Sequence, residues 1–255
     1  MECNKRYLIK LLENQLSIIL VIFATIINSI VFGYVASNSK NNKTNAAYLI
    51  FLGFIIMYTI FDCIIIQIFE TNEAKDFIVK IQAAFWMPLS IFYLNFIYKF
   101  LNKKRDNIFY YFILSSTISI LITLFSNKVI LGFKDYNLGT MAYTGTWFLS
   151  ITFLGILPAA FYALYLIANE GGVINKKYSV EPFLKLQLKF LFFGSLVCLL
   201  IAVLTNIFFD EVLGYSGELH LASLSLSIQS FFLLPALIKY NVFNKPLETL
   251  GDELY

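Results

Sequence analysis

Seven long apolar runs, separated by short polar segments, dominate the hydrophobic pattern of this chain. They occupy residues 16–36, 46–69, 77–98, 108–126, 147–168, 187–209 and 219–238. A helix needs about 20 predominantly apolar residues to cross a hydrocarbon core of roughly 30 Å, and each run reaches or approaches that length. The runs are continuously apolar rather than alternating, which favours helices over the strands of a membrane barrel. The pattern predicts an all-α membrane protein, a seven-transmembrane-helix bundle over residues 16–238.

Composition supports a membrane location. Hydrophobic residues make up 59% of the chain and charged residues only 14%, which an ordinary soluble domain does not show. The longest connecting segments, 127–146 and 169–186, are too short for a folded soluble domain. The first run is too long for a signal-peptide core and lacks a cleavage site. We expect a multi-pass protein of the cytoplasmic (inner) membrane, with the lipid bilayer as its first partner and no nucleic acid.

The distribution of Lys and Arg predicts the orientation. With the N-terminus outside, twelve of the nineteen basic residues fall on cytoplasmic segments, including the dense cluster Lys103–Arg105. Basic residues favour the cytoplasmic side, so the N-terminus is predicted outside and the C-terminus inside. Lys5, Arg6 and Lys10 disagree with this orientation. Residues 1–15 are therefore interpreted as an extracellular or interfacial segment.

Asp62 is the clearest carboxylate inside an apolar run. Ionisable groups within membrane spans are costly, usually face the bundle interior and often serve function. Asp62 is a candidate ligand or cation contact, or a proton-sensitive switch. The alternative is a buried structural acid, held by hydrogen bonds and protonated. The sequence leaves both interpretations open.

Other polar and aromatic residues of the runs suggest an outward-facing, mostly apolar pocket with a few polar groups. The candidate ligand-binding residues are Asp62, Gln67, Gln82, Trp86, Asn206 and Gln229. The alternative is that the amides join helices by hydrogen bonds and that the tryptophan belongs to an interfacial aromatic belt. Helix seven also carries Ser223, Ser227 and Ser230 on one face, where we expect close helix packing. Pro88, Pro158 and Pro235 are predicted to kink their helices.

Catalytic and metal-binding patterns are missing from the sequence. The chain has a single histidine, His220, and its three cysteines show no metal-ligand spacing. No P-loop, dinucleotide-binding motif or pair of aspartates within spans occurs. We therefore predict no catalytic residues, no metal and no cofactor.

Three passages resemble the N-terminal seven-helix sensor region of bacterial and archaeal histidine kinases and related signalling proteins. Residues 85–101 (FWMPLSIFYLNFIYKFL) look like the family's third helix with its central proline. Residues 185–201 (KLQLKFLFFGSLVCLLI) are similar to its sixth helix, and residues 238–247 (IKYNVFNKPL) to its exit into the cytoplasm. The resemblance covers nearly the whole chain, but its motifs are mostly hydrophobic.

The resemblance implies a sensor domain that binds a small, fairly apolar or lipid-like ligand from the outer face or from lipid. Residues 239–255, with Leu247, Leu250 and Leu254 at helical spacing, would begin a connector to a cytoplasmic output domain in cis. The chain would then be a fragment of a longer receptor, and a stand-alone protein is the other option. A homodimer is compatible with this interpretation. The alternative functions are a small ion-coupled transporter or permease that uses Asp62, and a non-catalytic membrane scaffold.

Overall fold

The structure, a computed structural model, describes residues 2–38, 43–67, 72–136, 139–169, 182–205 and 221–240. The helices are α1 (Glu2–Asn38), α2 (Lys43–Gln67), α3 (Asn72–Trp86), α4 (Leu89–Phe100), α5 (Asn107–Phe125), α6 (Thr146–Ile151), α7 (Leu157–Asn169), α8 (Pro182–Val203) and α9 (Leu221–Tyr240). A π-helical segment, Thr152–Ile156, joins α6 to α7. Two strands, β1 (Ile130–Tyr136) and β2 (Gly139–Thr144), lie between α5 and α6.

Over the described residues, the predicted apolar runs fall on helix, apart from the turn at residues 87–88 and residue 126 at the end of the fourth run. Within the described residues, six helical stretches are long and apolar enough to cross a membrane. They are Ile18–Asn38, Lys43–Ile64, Asp76–Phe100, Asn107–Phe125, Thr146–Asn169 and Lys185–Val203. From residue 221 onwards, the seventh predicted run falls on α9, a helix of 20 residues. Helices of this length and composition are those of a multi-pass membrane protein. The first helix continues back to Glu2 without a break, so residues 2–15 prolong α1.

The helices expose their apolar faces and bury their polar ones. On α5, Leu114 and Phe125 are 60% and 84% exposed, whereas Ser116, Ser119 and Thr123 are buried. In water this arrangement would be inverted, because apolar side chains leave the solvent. In lipid, hydrocarbon surrounds the outer face and small polar residues line the helix contacts. The bundle is therefore built for a hydrocarbon solvent.

Two of the three prolines coincide with irregularities of helical hydrogen bonding in their spans. Pro88 lies in the turn that separates α3 from α4. Pro158 follows the π-helical segment, where the Leu157 amide donates to the Thr152 carbonyl, five residues back. A proline cannot donate to the carbonyl four residues before it, which for Pro158 is that of Leu154. That carbonyl accepts instead from the Tyr111 hydroxyl at 3.3 Å.

The segment 127–146, predicted only as a connecting segment, contains an antiparallel β-hairpin. Its strands pair from Ile130 with Thr144 to Tyr136 with Gly139, with an irregularity between Ile130 and Gly132. At its base the Gly145 amide donates to the Val129 carbonyl at 2.8 Å. A Cβ at position 145 would lie 2.2 Å from the Lys128 carbonyl oxygen, so only glycine fits there. The fold is thus mostly helical rather than purely so.

The opposite end of the bundle carries the basic loop, residues 101–106, which connects α4 to α5. Asn102, with φ of 49°, ends α4 in the left-handed conformation that asparagine tolerates. The Lys103 amide reaches back to the Tyr98 carbonyl at 2.8 Å, and the Asn102 amide to that of Lys99 at 3.2 Å, as in a Schellman cap. An aromatic core lies above this loop, where Tyr48 packs against Phe96 with ring centroids 4.9 Å apart. These features define a hairpin end and a basic-loop end.

Candidate functional site

The buried face of α9 forms a polar seam through the bundle. It consists of Ser223, Ser225, Ser227, Gln229 and Ser230, which are each at most 4% exposed. Phe231, on the opposite face, is 61% exposed. Buried hydroxyls and amides in a membrane interior need hydrogen-bond partners, because lipid supplies none. The polar seam finds them on α1, α2 and α8, and it reaches α4 through Ser195.

At the hairpin end, the polar seam meets Asp62 of α2. The Ser223 hydroxyl donates to Asp62 Oδ2 at 2.6 Å, and both side chains are buried. This distance is within the range of hydroxyl bonds to a carboxylate. The Tyr58 side chain, one turn earlier on α2, lies beside the same pair. Asp62 is therefore hydrogen-bonded to α9 rather than pointing into lipid.

In the middle of the bundle, Asn28 of α1 holds two serines of the polar seam. Its Nδ2 donates to Ser227 Oγ at 3.0 Å and to the Ala24 carbonyl at 2.9 Å. Its Oδ1 accepts from the Ser230 hydroxyl at 2.5 Å. The Ser227 hydroxyl in turn lies 3.1 Å from the Ser223 carbonyl and 3.3 Å from that of Ala24. One asparagine thus ties α1 to two successive turns of α9.

A third contact joins α9 to α8 and α4. Gln229 Nε2 donates to Ser195 Oγ at 3.1 Å, and the Ser195 hydroxyl lies 2.6 Å from the Leu191 carbonyl. The Tyr93 hydroxyl bonds the same Ser195 oxygen. If Ser195 gives its only proton to Leu191, both other groups must donate to it. The Ser195 hydroxyl oxygen therefore joins α4, α8 and α9 at one point.

Helices α8 and α9 approach each other closely beside this contact. A Cβ added at Gly194 would lie 2.7 Å from Cβ of Phe232. One turn along α8, the Cys198 thiol lies beside Ser225. The pairs Gly194–Phe232, Ser195–Gln229 and Cys198–Ser225 step in opposite directions along the two chains. Helices α8 and α9 are consequently antiparallel and in register at close range.

The predicted pocket residues occupy different places in the bundle. Gln82 is buried and donates through Nε2 to the Tyr58 carbonyl at 3.4 Å, which links α3 to α2 near Asp62. Trp86 is partly buried and packs against Phe148, with ring centroids 5.9 Å apart. Gln229 contacts Ser195, as described above. Asn206 lies outside the described residues, as does the side chain of Gln67, whose backbone ends α2.

The sequence did not indicate that Asn28 of α1 and Ser195 of α8 bond the polar seam, or that Tyr93 of α4 bonds Ser195. It assigned Ser223, Ser227 and Ser230 to close packing, whereas each also makes a hydrogen bond to another helix. Asn28 is the central omission. Its signal was present, since it is the only amide inside the apolar run 16–36, and such residues usually join helices.

Among the described residues, one buried side-chain amide is left without a hydrogen-bond partner. Asn45, in the first turn of α2, is fully buried, and neither Nδ2 nor Oδ1 has a hydrogen-bond partner. The adjacent Thr44 hydroxyl donates to the Lys99 carbonyl at 3.3 Å. A buried amide without partners destabilises the state in which it is found. Asn45 is therefore the clearest polar anomaly of the described bundle.

Asp106 is the anchored acid of the basic loop. Its Oδ1 accepts from the Phe109 amide at 3.0 Å, which caps α5, and its Oδ2 from the Tyr162 hydroxyl at 2.8 Å. Burial raises the pKa of this carboxyl, but the surrounding donors and the nearby Lys103 outweigh burial and lower it below 3.8. Asp106 is thus charged at neutral pH and fixes α7 to the start of α5.

Within the residues whose positions are described, no group of three or more His, Cys, Asp or Glu side chains is placed to hold a metal ion. Comparison of the chain with protein-family models, with curated proteins and with solved structures finds no match.

Proposed function

We propose that this chain is the membrane-embedded sensor part of a prokaryotic signal-transduction receptor. It has seven membrane-spanning helices, with α9 as the seventh, an outer N-terminus and a cytoplasmic C-terminus. A small, fairly apolar or lipid-like ligand enters from the outer face or from lipid, and α9 passes a movement to a cytoplasmic output domain. The resemblance of residues 85–101, 185–201 and 238–247 to sensor regions supports this assignment.

The observation that carries the proposal is the set of contacts made by the polar seam. Helix α9 is held to α1 by Asn28, to α2 by Asp62 and to α8 by Ser195, all through hydroxyl and amide hydrogen bonds. In a membrane such bonds average about 0.6 kcal/mol each. Exchanging one such hydrogen bond for another therefore costs little free energy. A ligand that binds one helix arrangement modestly better than another can then shift the population between the two arrangements. This is the behaviour that an output helix needs.

A fusion experiment tests the proposal. The chain is joined after Tyr255 to a soluble histidine-kinase module at several successive helical phases, and autophosphorylation is measured in membrane vesicles. We expect kinase activity to depend on phase and to change severalfold when Asn28→Leu weakens the polar seam. Phe231→Leu, on the exposed face of α9, is the matched control and should leave activity unchanged. Activity that ignores both phase and Asn28→Leu would contradict the sensor assignment.

Asp62 supports a second candidate, an ion-coupled transporter. Its carboxylate is buried within α2 and faces α9 rather than lipid, as coupling carboxylates do. In proteoliposomes with an imposed proton or sodium gradient, a transporter would accumulate its substrate, and Asp62→Asn would abolish that uptake. Sensor and transporter are separated by this assay, because a sensor shows no gradient-dependent uptake in either form.

A further inference from the structure

The unpaired Asn45 lies one helical turn beyond the last contact of the polar seam. Asn45 and Tyr48 are three residues apart on α2 and share a face. Tyr48 lies beside Ser230 of α9. Asn45, with both amide atoms unpaired, is therefore the next polar side chain on this face of α2 towards the basic-loop end.

The serine spacing of α9 would preserve the central contacts in such a move. Ser223, Ser227 and Ser230 are separated by four and three residues, which is one turn each. Asn28 now pairs with Ser227 and Ser230. After a shift of one turn, Ser223 would occupy the place of Ser227, and Ser227 that of Ser230. Asn28 would keep two serine partners.

The contact with α8 repeats in the same way. Gln229 faces Ser195, and Ser225 lies beside Cys198. Because α8 and α9 are antiparallel, a shift of α9 towards the basic-loop end carries Ser225 from the level of Cys198 to that of Ser195. A hydroxyl then replaces the Gln229 amide at Ser195. At Gly194 the two helices lie so close that an added Cβ would be 2.7 Å from Phe232 Cβ.

From this repeat we infer that α9 is a one-turn ratchet with two registers. Helix α9 slides about 5.4 Å along its axis, and one-turn displacements of this kind are known switching movements. In the described register Ser223 pairs with Asp62 and Asn45 is unpaired. In the second register Ser230 pairs with Asn45 and Asp62 loses Ser223. The inference rests on the proposed function, because it specifies the movement that α9 would pass to the output.

Cysteine cross-linking distinguishes the registers without any ligand. In chains with Cys3 and Cys63 replaced by alanine, Ser225→Cys together with native Cys198 reports the described register. Ser225→Cys with Ser195→Cys, in a chain that also carries Cys198→Ala, reports the shifted register. Membranes are oxidised with copper phenanthroline, and the remaining thiols are counted by their gel shift with maleimide–polyethylene glycol. Phe231→Cys with Cys198 is the control pair, since Phe231 faces away in both registers.

Two further substitutions should move the balance in opposite directions. Ser223→Ala removes the Asp62 contact and should raise the ratio of shifted to described cross-link about threefold, the effect of one average membrane hydrogen bond. Asn45→Leu removes the Ser230–Asn45 contact of the second register and also the unpaired amide of the described one, so it should lower the ratio by at least about threefold. If Ser223→Ala does not accumulate, Asp62→Ser, which shortens the acceptor, breaks the same contact. Elution as a single folded species in detergent is the check on each variant.

Opposite shifts would support the ratchet. No shifted cross-link, or the same ratio in both variants, would overturn it. This assay needs no output domain, so a negative result refutes the ratchet and leaves the sensor assignment to the kinase fusions. Phase-independent fusions together with opposite cross-linking shifts would instead show a sliding helix that is not a receptor output.

Discussion

The Ser223 hydroxyl donates a 2.6 Å hydrogen bond to Asp62 Oδ2 across 161 residues of sequence. This contact joins the seventh apolar run to the second inside the bundle, where both side chains are buried. Asp62 is one of the six residues that the sequence nominated for a ligand site. Its hydrogen bond to Ser223 makes Asp62 part of the contact between α2 and α9. Substitutions separate this structural role from a role in ligand binding.

Replacing Asp62 by leucine should destabilise the protein. The substitution leaves the Ser223 hydroxyl without its described acceptor, which costs about 1–3 kcal/mol for a buried group. Asp62→Asn keeps an acceptor oxygen and should lose less. Thermal unfolding in detergent measures the order of the three proteins. Asp62→Leu at least as stable as the parent would show that Ser223 gains nothing from the carboxylate.

Asn28 and Asn45 provide a matched pair for the same substitution. Asn28→Leu leaves Ser227 and Ser230 without their amide partner, so we expect a loss of about 1–2 kcal/mol. Asn45→Leu removes a fully buried amide that has no partner and should raise stability by about 1–2 kcal/mol. Unfolding by heat or denaturant in the same detergent gives both values. If both substitutions changed the free energy of unfolding in the same direction, hydrogen bonding would not be what determines the contributions of Asn28 and Asn45 to stability.

The spans could be predicted from the sequence, but the contacts between them could not. Run length and apolar continuity sufficed for the six helical stretches that are long and apolar enough to cross a membrane, because a hydrocarbon core imposes both. The partners of Ser223 and Gln229 depend on which helices are neighbours and on how each helix is rotated about its axis. A run that is apolar on all sides carries no information about either. Asn45 is the last residue of the polar segment 37–45, where an amide is expected and gives no sign of a buried position. The β-hairpin that ends at Gly145 was not predicted, because a connecting segment between spans carries no hydrophobic periodicity of its own.

The glycine at position 194 should be indispensable to the contact between α8 and α9. An alanine Cβ there would lie 2.7 Å from Phe232 Cβ and 3.3 Å from its Cγ. Since Phe232 Cβ is attached directly to the backbone of α9, the helices themselves must separate. We expect Gly194→Ala to lower the melting temperature and to weaken the Ser195–Gln229 contact. Gly33→Ala is the control, because no atom lies within 4 Å of the added carbon.

The carboxyl of Asp106 should give the stability of the basic-loop end a defined pH dependence. Its pKa in the folded protein is lowered below 3.8, because the donors around it outweigh the effect of burial. A carboxyl with a lowered folded pKa contributes stability that is fully present above its ordinary value and is lost as pH falls through the folded value. Between about pH 6 and about pH 3, the parent should therefore lose more stability than Asp106→Asn, which does not titrate.

Tyr162→Phe removes the 2.8 Å donor to Oδ2, so it should raise the pKa of Asp106 and reduce the pH-dependent difference. Melting temperatures of the three proteins across this range provide the measurement. Parallel pH profiles for parent and Asp106→Asn would show that the capping bond to the Phe109 amide does not depend on the charge of its acceptor.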